Sequence, residues 1–272
     1  MKQLIIAILF SLSMQAQDYI NWQPPVVKAD KGANKGHGGH ATRKAKQLQL
    51  SNSNSDALSE VFYILPTLEK RELSIKHGLV TLPRTGMANY HALVVNQADE
   101  NRIESSVRYI YGHGRPSQIS PTKITEMKKS ELEISPAPLP REHDRYTGSN
   151  SYKFELHFKD KTLPNTTITL NTSNGSESSF QSDEDGEFKV TMPNDFKEVK
   201  SGRRANRPAE FILKALYLHE GITYTTTFAM PYHVNSVDYW QSKTYGLIIL
   251  IIGLIIGIFI FRNINKKKRR KT

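Results

Sequence analysis

From Tyr245 to Phe261 the chain contains only apolar residues, Gly and one Tyr, without a charge in 17 positions. As a helix this run rises about 26 Å, enough to cross the hydrocarbon core of a bilayer. Arg262, Lys266, Lys267, Lys268, Arg269, Arg270 and Lys271 follow with no acid among them. The excess of cations places the tail, 262–272, in the cytoplasm. Tyr239, Trp240 and Tyr245 suit the opposite interface. Everything before the helix is then expected outside the membrane, provided the chain is exported.

The front of the chain supplies an export signal. Lys2 precedes a largely apolar run from Leu4 to Leu12, and Ser13, Met14, Gln15 and Ala16 follow, the order of a secretory signal peptide with cleavage expected after Ala16. Nine residues rise only about 14 Å, too little for a second span. The expected organisation is a signal peptide (1–16), a flexible His/Gly/Lys-rich arm (17–55), a strand-rich region (56–140), a β-sandwich (141–235), a transmembrane helix (245–261) and the basic tail. The expected location is a bacterial cytoplasmic membrane, single-pass, with the large domain periplasmic.

A formal charge of +11 invites a nucleic-acid partner, but Lys2 and the seven tail cations account for eight of the 37 basic residues. The remaining 29 face 26 acids, so the excess is mostly topological and a nucleic-acid role is unsupported. Cysteine is absent, so an exported domain must be held by its apolar core, and a metal site must use imidazole, carboxylate, backbone or thioether ligands.

Asp18 to Asn54 carries Pro24-Pro25, Gly and Lys without sustained periodicity, and is expected to lack a core of its own. Asp56 to Leu65 places Leu58, Val61, Phe62 and Leu65 on one helical face, a short helix ending at Pro66. Strands are expected at 73–75, 79–82, 90–96, 103–111 and 131–135, and then Pro136, Pro138 and Pro140 interrupt as a stiff linker or edge crossing. Tyr152, Phe154, Leu156 and Phe158 alternate strictly with Lys153, Glu155 and His157, the pattern of a half-buried strand. Strands at 166–170, 178–181, 187–192, 211–218 and 223–230 continue at sandwich spacing, with Asp185-Gly186 as a hairpin turn. The fold class is all-β, with Ig-like or prealbumin-like sandwich regions and one C-terminal transmembrane helix. Whether the two strand-rich halves share a sheet stays open at this stage.

Leu82-Pro83-Arg84-Thr85-Gly86 has the pattern of a sortase signal, but lies far upstream of the apolar helix and reads as a turn. Asp183 to Glu187 lacks the distant bidentate Glu of a calcium loop and reads as a hairpin. His37-Gly38-Gly39-His40 sets two imidazoles on pliable backbone, a donor set suited to nickel, cobalt, copper or zinc; His91, His113 and His143 are further candidate ligands. The competing reading is a solvated arm and histidines that bond to turns. Tyr109 to Gly114 and Arg141 to Tyr146 are the densest polar and aromatic clusters, able to orient a His or form a salt-bridged corner. Gly246, Gly253 and Gly257 give the apolar helix a small-residue face for a homodimer or another membrane subunit. No catalytic motif is recognisable, so an enzyme is not expected.

Leu163 to Leu170, Asn174-Gly175 and Ser182 to Phe188 resemble the core of a carboxypeptidase-regulatory or prealbumin-like sandwich. With the signal peptide, the scattered His and the anchor, the chain resembles the DUF4198 group of envelope proteins. That resemblance implies a substrate-specific transmembrane component of nickel or cobalt uptake, working beside a transporter subunit. The alternative expectation is a structural or interaction module of the envelope that docks a partner protein and needs no metal.

Overall fold

The computed structural model describes residues 19–25, 46–52, 58–141, 144–240 and 243–269. The expected signal peptide, His37, His40, His143 and the end of the basic tail lie outside the described residues. In chain order the strands are β1 (Asn21–Gln23), β2 (Gln47–Ser51), β3 (Leu58–Ile64), β4 (Lys70–Glu72), β5 (Leu79–Thr81), β6 (Met87–Asp99), β7 (Arg102–Gly112) and β8 (Arg115–Pro116). Helix α1 (Pro121–Glu126) precedes β9 (Leu132–Pro136), β10 (Tyr146–Thr147), β11 (Ser151–Phe158), β12 (Lys161–Thr162), β13 (Thr167–Thr172) and β14 (Glu177–Gln181). Then come β15 (Glu187–Thr191), β16 (Ala209–His219), β17 (Ile222–His233), α2 (Ser236–Tyr239) and α3 (Lys243–Arg269).

Three layers result. A ten-stranded central sheet runs β14-β13-β16-β17-β7-β6-β3-β4, with β10 beside β17 and β8 beside β6. On one face lies an inner sheet of β9, β11, β12 and β15, and on the other an outer sheet in the order β1-β2-β5. The two strand-rich halves are joined by a parallel pairing of β7 with β17, from Arg102 opposite Thr223 to Val107 opposite Phe228. The halves therefore share one sheet.

Burial follows from the layering. Phe154, Leu156 and Phe158 of β11 point into the inner core while Lys153, Glu155 and His157 stay outside it, as the alternation requires. Residues 90–95 of β6, 104–110 of β7 and 224–230 of β17 are buried at every position, because both faces of these strands are covered. The inner core collects Phe62, Tyr109, Tyr146, Phe154, Phe211 and Phe228. Each such ring contributes about 1.5–3 kcal/mol by burial.

Four expectations are corrected. The arm is not coreless at its ends: Ile20, Trp22, Leu48 and Leu50 are buried in the outer core with Val61, Tyr63, Leu93 and Val95. These strands are too short to show a period, and their partners are distant in sequence. The short helix over 56–65 is instead β3, whose Val61 and Tyr63 face the outer core while Phe62 and Ile64 face the inner one; a strand covered on both faces imitates helical spacing. The strand expected at 73–75 falls at Lys70–Glu72, and Leu73 and Ile75 pack on the outer core from irregular backbone. Asp185-Gly186 turns the chain as expected, Gly186 N–H donating to Asp183 O (3.1 Å), but β14 belongs to the central sheet and β15 to the inner one. The turn is a bridge between sheets. Gly186 has φ +75°, and a Cβ there would lie 2.9 Å from Leu156 O, so glycine is required.

Helix α3 contains an apolar stretch, Tyr245–Arg262, long enough to cross a membrane and with none of it buried against the rest of the chain. Its Gly246, Gly253 and Gly257 have nothing near them, leaving that face uncovered.

Candidate functional site

The parallel pairing of β7 with β17 stops at Val107 and Phe228, although β7 continues to Gly112 and β17 to His233. Beyond that point the strands part, and β10 takes the free edge of β17, Tyr146 opposite Tyr232 and Thr147 opposite His233. The fork leaves a cleft of about 250 Å³. Arg108, Tyr109, Tyr111 and His113 line it from β7 and its end, Met230, Pro231 and His233 from β17, Asp144, Arg145 and Tyr146 from the approach to β10, and Lys46 from the approach to β2. The two dense clusters of the sequence thus meet across one fork, although no ion pair forms within Arg141 to Tyr146 among the described residues.

Arg108 is fixed by two partners. Its Nη1 donates to Glu210 Oε2 (2.6 Å) and to Trp22 O (3.2 Å), and its Nη2 to Glu210 Oε1 (3.1 Å). A bidentate pair of this kind holds a guanidinium plane firmly. Its Nε has no hydrogen-bond partner among the described residues, and neither do the hydroxyls of the buried Tyr109 and Tyr146. Burial pushes both phenols well above their usual range, so they are neutral donors. Lys46 is pushed down by desolvation and by repulsion from Arg108, and partly restored by Glu210. The cleft is thus lined by three cations, Lys46, Arg108 and Arg145, of which Arg108 is held rigid by Glu210, with Asp144 as the acid among them.

His233 reports the same field. Desolvation, then the charges of Arg145 and Arg203, lower its pKa to about 4. Its Nε2 lies 3.5 Å from Arg145 Nη1, a contact that suits the neutral ring. Because the folded value lies below the ordinary one of about 6.5, the unfolded chain binds more protons between those limits. Stability is present above about pH 6.5 and is expected to be lost as the pH falls toward about 4. Denaturant unfolding at neutral pH and near pH 4.5 should show this fall, and His233→Gln should shrink it. His91, lowered mainly by burial, adds to the remainder in the same direction.

Beside the fork, Asp195 receives bonds from Tyr232 Oη (2.5 Å), Thr172 Oγ1 (2.7 Å) and Asn174 Nδ2 (3.1 Å). Desolvation alone would raise this carboxyl, but these bonds and one from Ser176 together hold it below its usual value. The network pins the loop after β15 to the end of β17.

Of the expected metal ligands, His91 and His113 lie among the described residues. His91 is buried, stacks on Tyr63 at 5.1 Å, and uses both ring nitrogens. Nδ1 faces the Asn89 carbonyl (3.1 Å), which can only accept, so Nε2 receives the Thr85 hydroxyl (2.8 Å). Thr85 lies in the irregular segment Leu82–Gly86 rather than in the expected turn, and the sortase-like pattern there carries a contact to a core histidine. A Cβ at Gly112 would lie 2.6 Å from the His91 ring, so the opposite strand is also shaped to it. His113 is exposed at the cleft and lies 5.5 Å from the Tyr111 ring. Among the described residues no group of three His, Asp or Glu is placed to hold a metal ion. Sequence reasoning missed Lys46, Arg108, Glu210 and His233, whose roles depend on strand partners far away in the chain.

No family model and no curated protein matches the chain. Among solved structures it is similar to a tetra-tandem repeat in the extending region of a large adhesion protein, at 8% identity and TM-score 0.26, over 71% of this chain and 46% of that one. It is similar also to a 1.5-MDa bacterial ice-binding adhesin, at 9% identity and TM-score 0.27, over 70% of this chain and 58% of that one. A two-domain fibronectin type-III segment from chicken tenascin matches at 10% identity and TM-score 0.23, over 68% and 90%. The chain spans about half the length of the first two. Likeness at this level carries no argument about function.

Proposed function

We propose that the chain is a membrane-anchored, extracytoplasmic binding module that holds an anionic group of a partner protein in the fork between β7 and β17. The observation that supports this is the gathering of three cations in one cleft, Lys46, Arg108 and Arg145, beside Tyr111 and His113. Arg and Tyr are also the residue types that dominate binding energy at protein interfaces. The module performs coordination of a partner and no bond chemistry. In this reading α3 crosses the cytoplasmic membrane with its basic end inside, as the cation excess requires.

A photo-crosslinking residue placed at Tyr111 in the full chain, in intact cells, is expected to give one discrete adduct with an extracytoplasmic protein. The same residue placed at Ser178, on the far edge of the central sheet, is expected to give none. Arg145→Glu should weaken the Tyr111 adduct several-fold, and chelators should leave it unchanged. Equal labelling at both positions, or indifference to Arg145→Glu, would refute the cleft as the binding site. Loss of the adduct on chelation would instead favour the nickel or cobalt reading, which would have to rest on His37, His40 and His143 outside the described residues.

A further inference from the structure

The chain enters α3 from a short and well-fixed stalk. Val234 is buried at the end of β17, and Asn235 caps α2 while its Nδ2 donates to Gly148 O (3.0 Å). Asn194 Nδ2 bonds Asp238 Oδ2 (3.2 Å), and Gly202 N–H bonds Tyr239 O (3.3 Å). From Tyr239 to Lys243 is four residues, at most about 14 Å of fully extended chain. The loop that holds α2, residues 193–208, is therefore carried close to whatever surface α3 enters.

That loop is strongly cationic and itself ordered. Lys197, Lys200, Arg203, Arg204 and Arg207 are all exposed, and no ion pair engages them among the described residues. Asn206 shapes the loop by accepting from Lys200 N–H (2.8 Å) and donating to Lys200 O (2.6 Å) and Gly202 O (2.9 Å). The acids nearby are few: Asp195 is occupied by Tyr232, Thr172 and Asn174, Asp238 by Asn194, and Glu198 is exposed. Val199, Val237 and Trp240 stand out from the same end, Trp240 with 76% of its surface in solvent. Exposed Trp and Val beside a row of cations are costly in water and suited to a membrane interface, where the ring sits at headgroup depth and the cations meet phosphate.

We propose that the loop of residues 193–208, with Trp240, is a lipid-contact surface that binds the anionic headgroups of the bilayer crossed by α3. It rests on the reading of α3 as a membrane span, and is independent of the fork cleft. Its consequence is orientational: the sandwich is held down on the membrane surface, which fixes the height at which the cleft meets a partner.

The chain has no cysteine, so a single Ser201→Cys can carry an environment-sensitive fluorophore in the full protein. The labelled chain is reconstituted in vesicles of phosphatidylcholine alone or with about one-third phosphatidylglycerol. With the anionic lipid the probe is expected to shift to the blue and to be quenched several-fold less by an aqueous quencher. Screening in about 1 M salt should reverse this. Lys200→Glu with Arg204→Glu and Arg207→Glu should abolish it, with an unchanged far-UV spectrum showing that the sandwich is intact. Equal quenching in both lipids, or protection that survives the triple substitution, overturns the proposal. Protection in phosphatidylcholine on addition of inorganic phosphate also overturns it, since that would mark a free-ion site. Alkaline carbonate extraction tests the span itself: release of the chain would remove the premise and with it the proposal, whereas retention with equal quenching refutes the loop alone.

Discussion

Trp22→Ala is expected to destabilise the extracytoplasmic domain by about 3–5 kcal/mol, as large-to-small changes of a buried indole do. Trp22 is 1% exposed and lies in the outer core among Ile20, Leu48, Leu50, Val61, Leu93 and Val95. Its carbonyl also accepts from Arg108, and β1 is further tied to the central sheet by Thr227 Oγ1, which donates to Ile20 O (2.8 Å). The substitution therefore empties the layer that keeps water from the outer face of β6, β7 and β17. Trp22→Phe should cost much less, because it retains most of the ring volume and removes an indole N–H that has no partner among the described residues. Thermal unfolding of the full chain in detergent, followed by circular dichroism, measures both. A loss below about 1 kcal/mol for Trp22→Ala would mean that the outer sheet does not cover the central one.

That a tryptophan so early in the chain carries this load is not legible in the sequence, and the reason is physical. Periodicity identifies a strand when one face is wet, as in β11, where Phe154, Leu156 and Phe158 alternate with polar neighbours. It is silent for β1, which is three residues long and finds its partner Ser51 thirty positions away. It misleads for β3, whose two covered faces give an apolar pattern with no preferred period. The site shows the same division. The clusters around Tyr109 and Arg145 are visible as local density, whereas their meeting depends on the parallel pairing of β7 with β17 and on its ending at Val107. Arg108 and Glu210 are 102 positions apart, so nothing in the sequence marks them as a pair. His91 looks like any other candidate ligand until Thr85 and Asn89 are seen to occupy its nitrogens.

Lys129→Met is expected to destabilise the domain by about 3–5 kcal/mol, because it strands a buried carboxylate. The Lys129 side chain is wholly buried, and its Nζ lies 2.5 Å from Glu133 Oε1. The ammonium also donates to the carbonyls of Thr125 (3.2 Å) and Met127, while Glu133 accepts from Lys129 N–H (2.9 Å) and Ser135 Oγ (3.0 Å). Every member of the network is thus satisfied, the condition under which a buried pair survives its desolvation cost. Removing both charges, Lys129→Met with Glu133→Leu, should restore most of the loss, since well-packed apolar replacements of buried pairs are often neutral. Unfolding of the two single variants and the double variant in one cycle measures the coupling, and near-additive losses would show that the two charges do not act as a unit. The pair sits where the chain passes from α1 to the edge strand β9, between the central and inner sheets. If the double variant recovers stability, what the charges contribute is the placement of that crossover: a polar network satisfied in only one geometry fixes how β9 lies on β11, which apolar burial alone leaves free to slide.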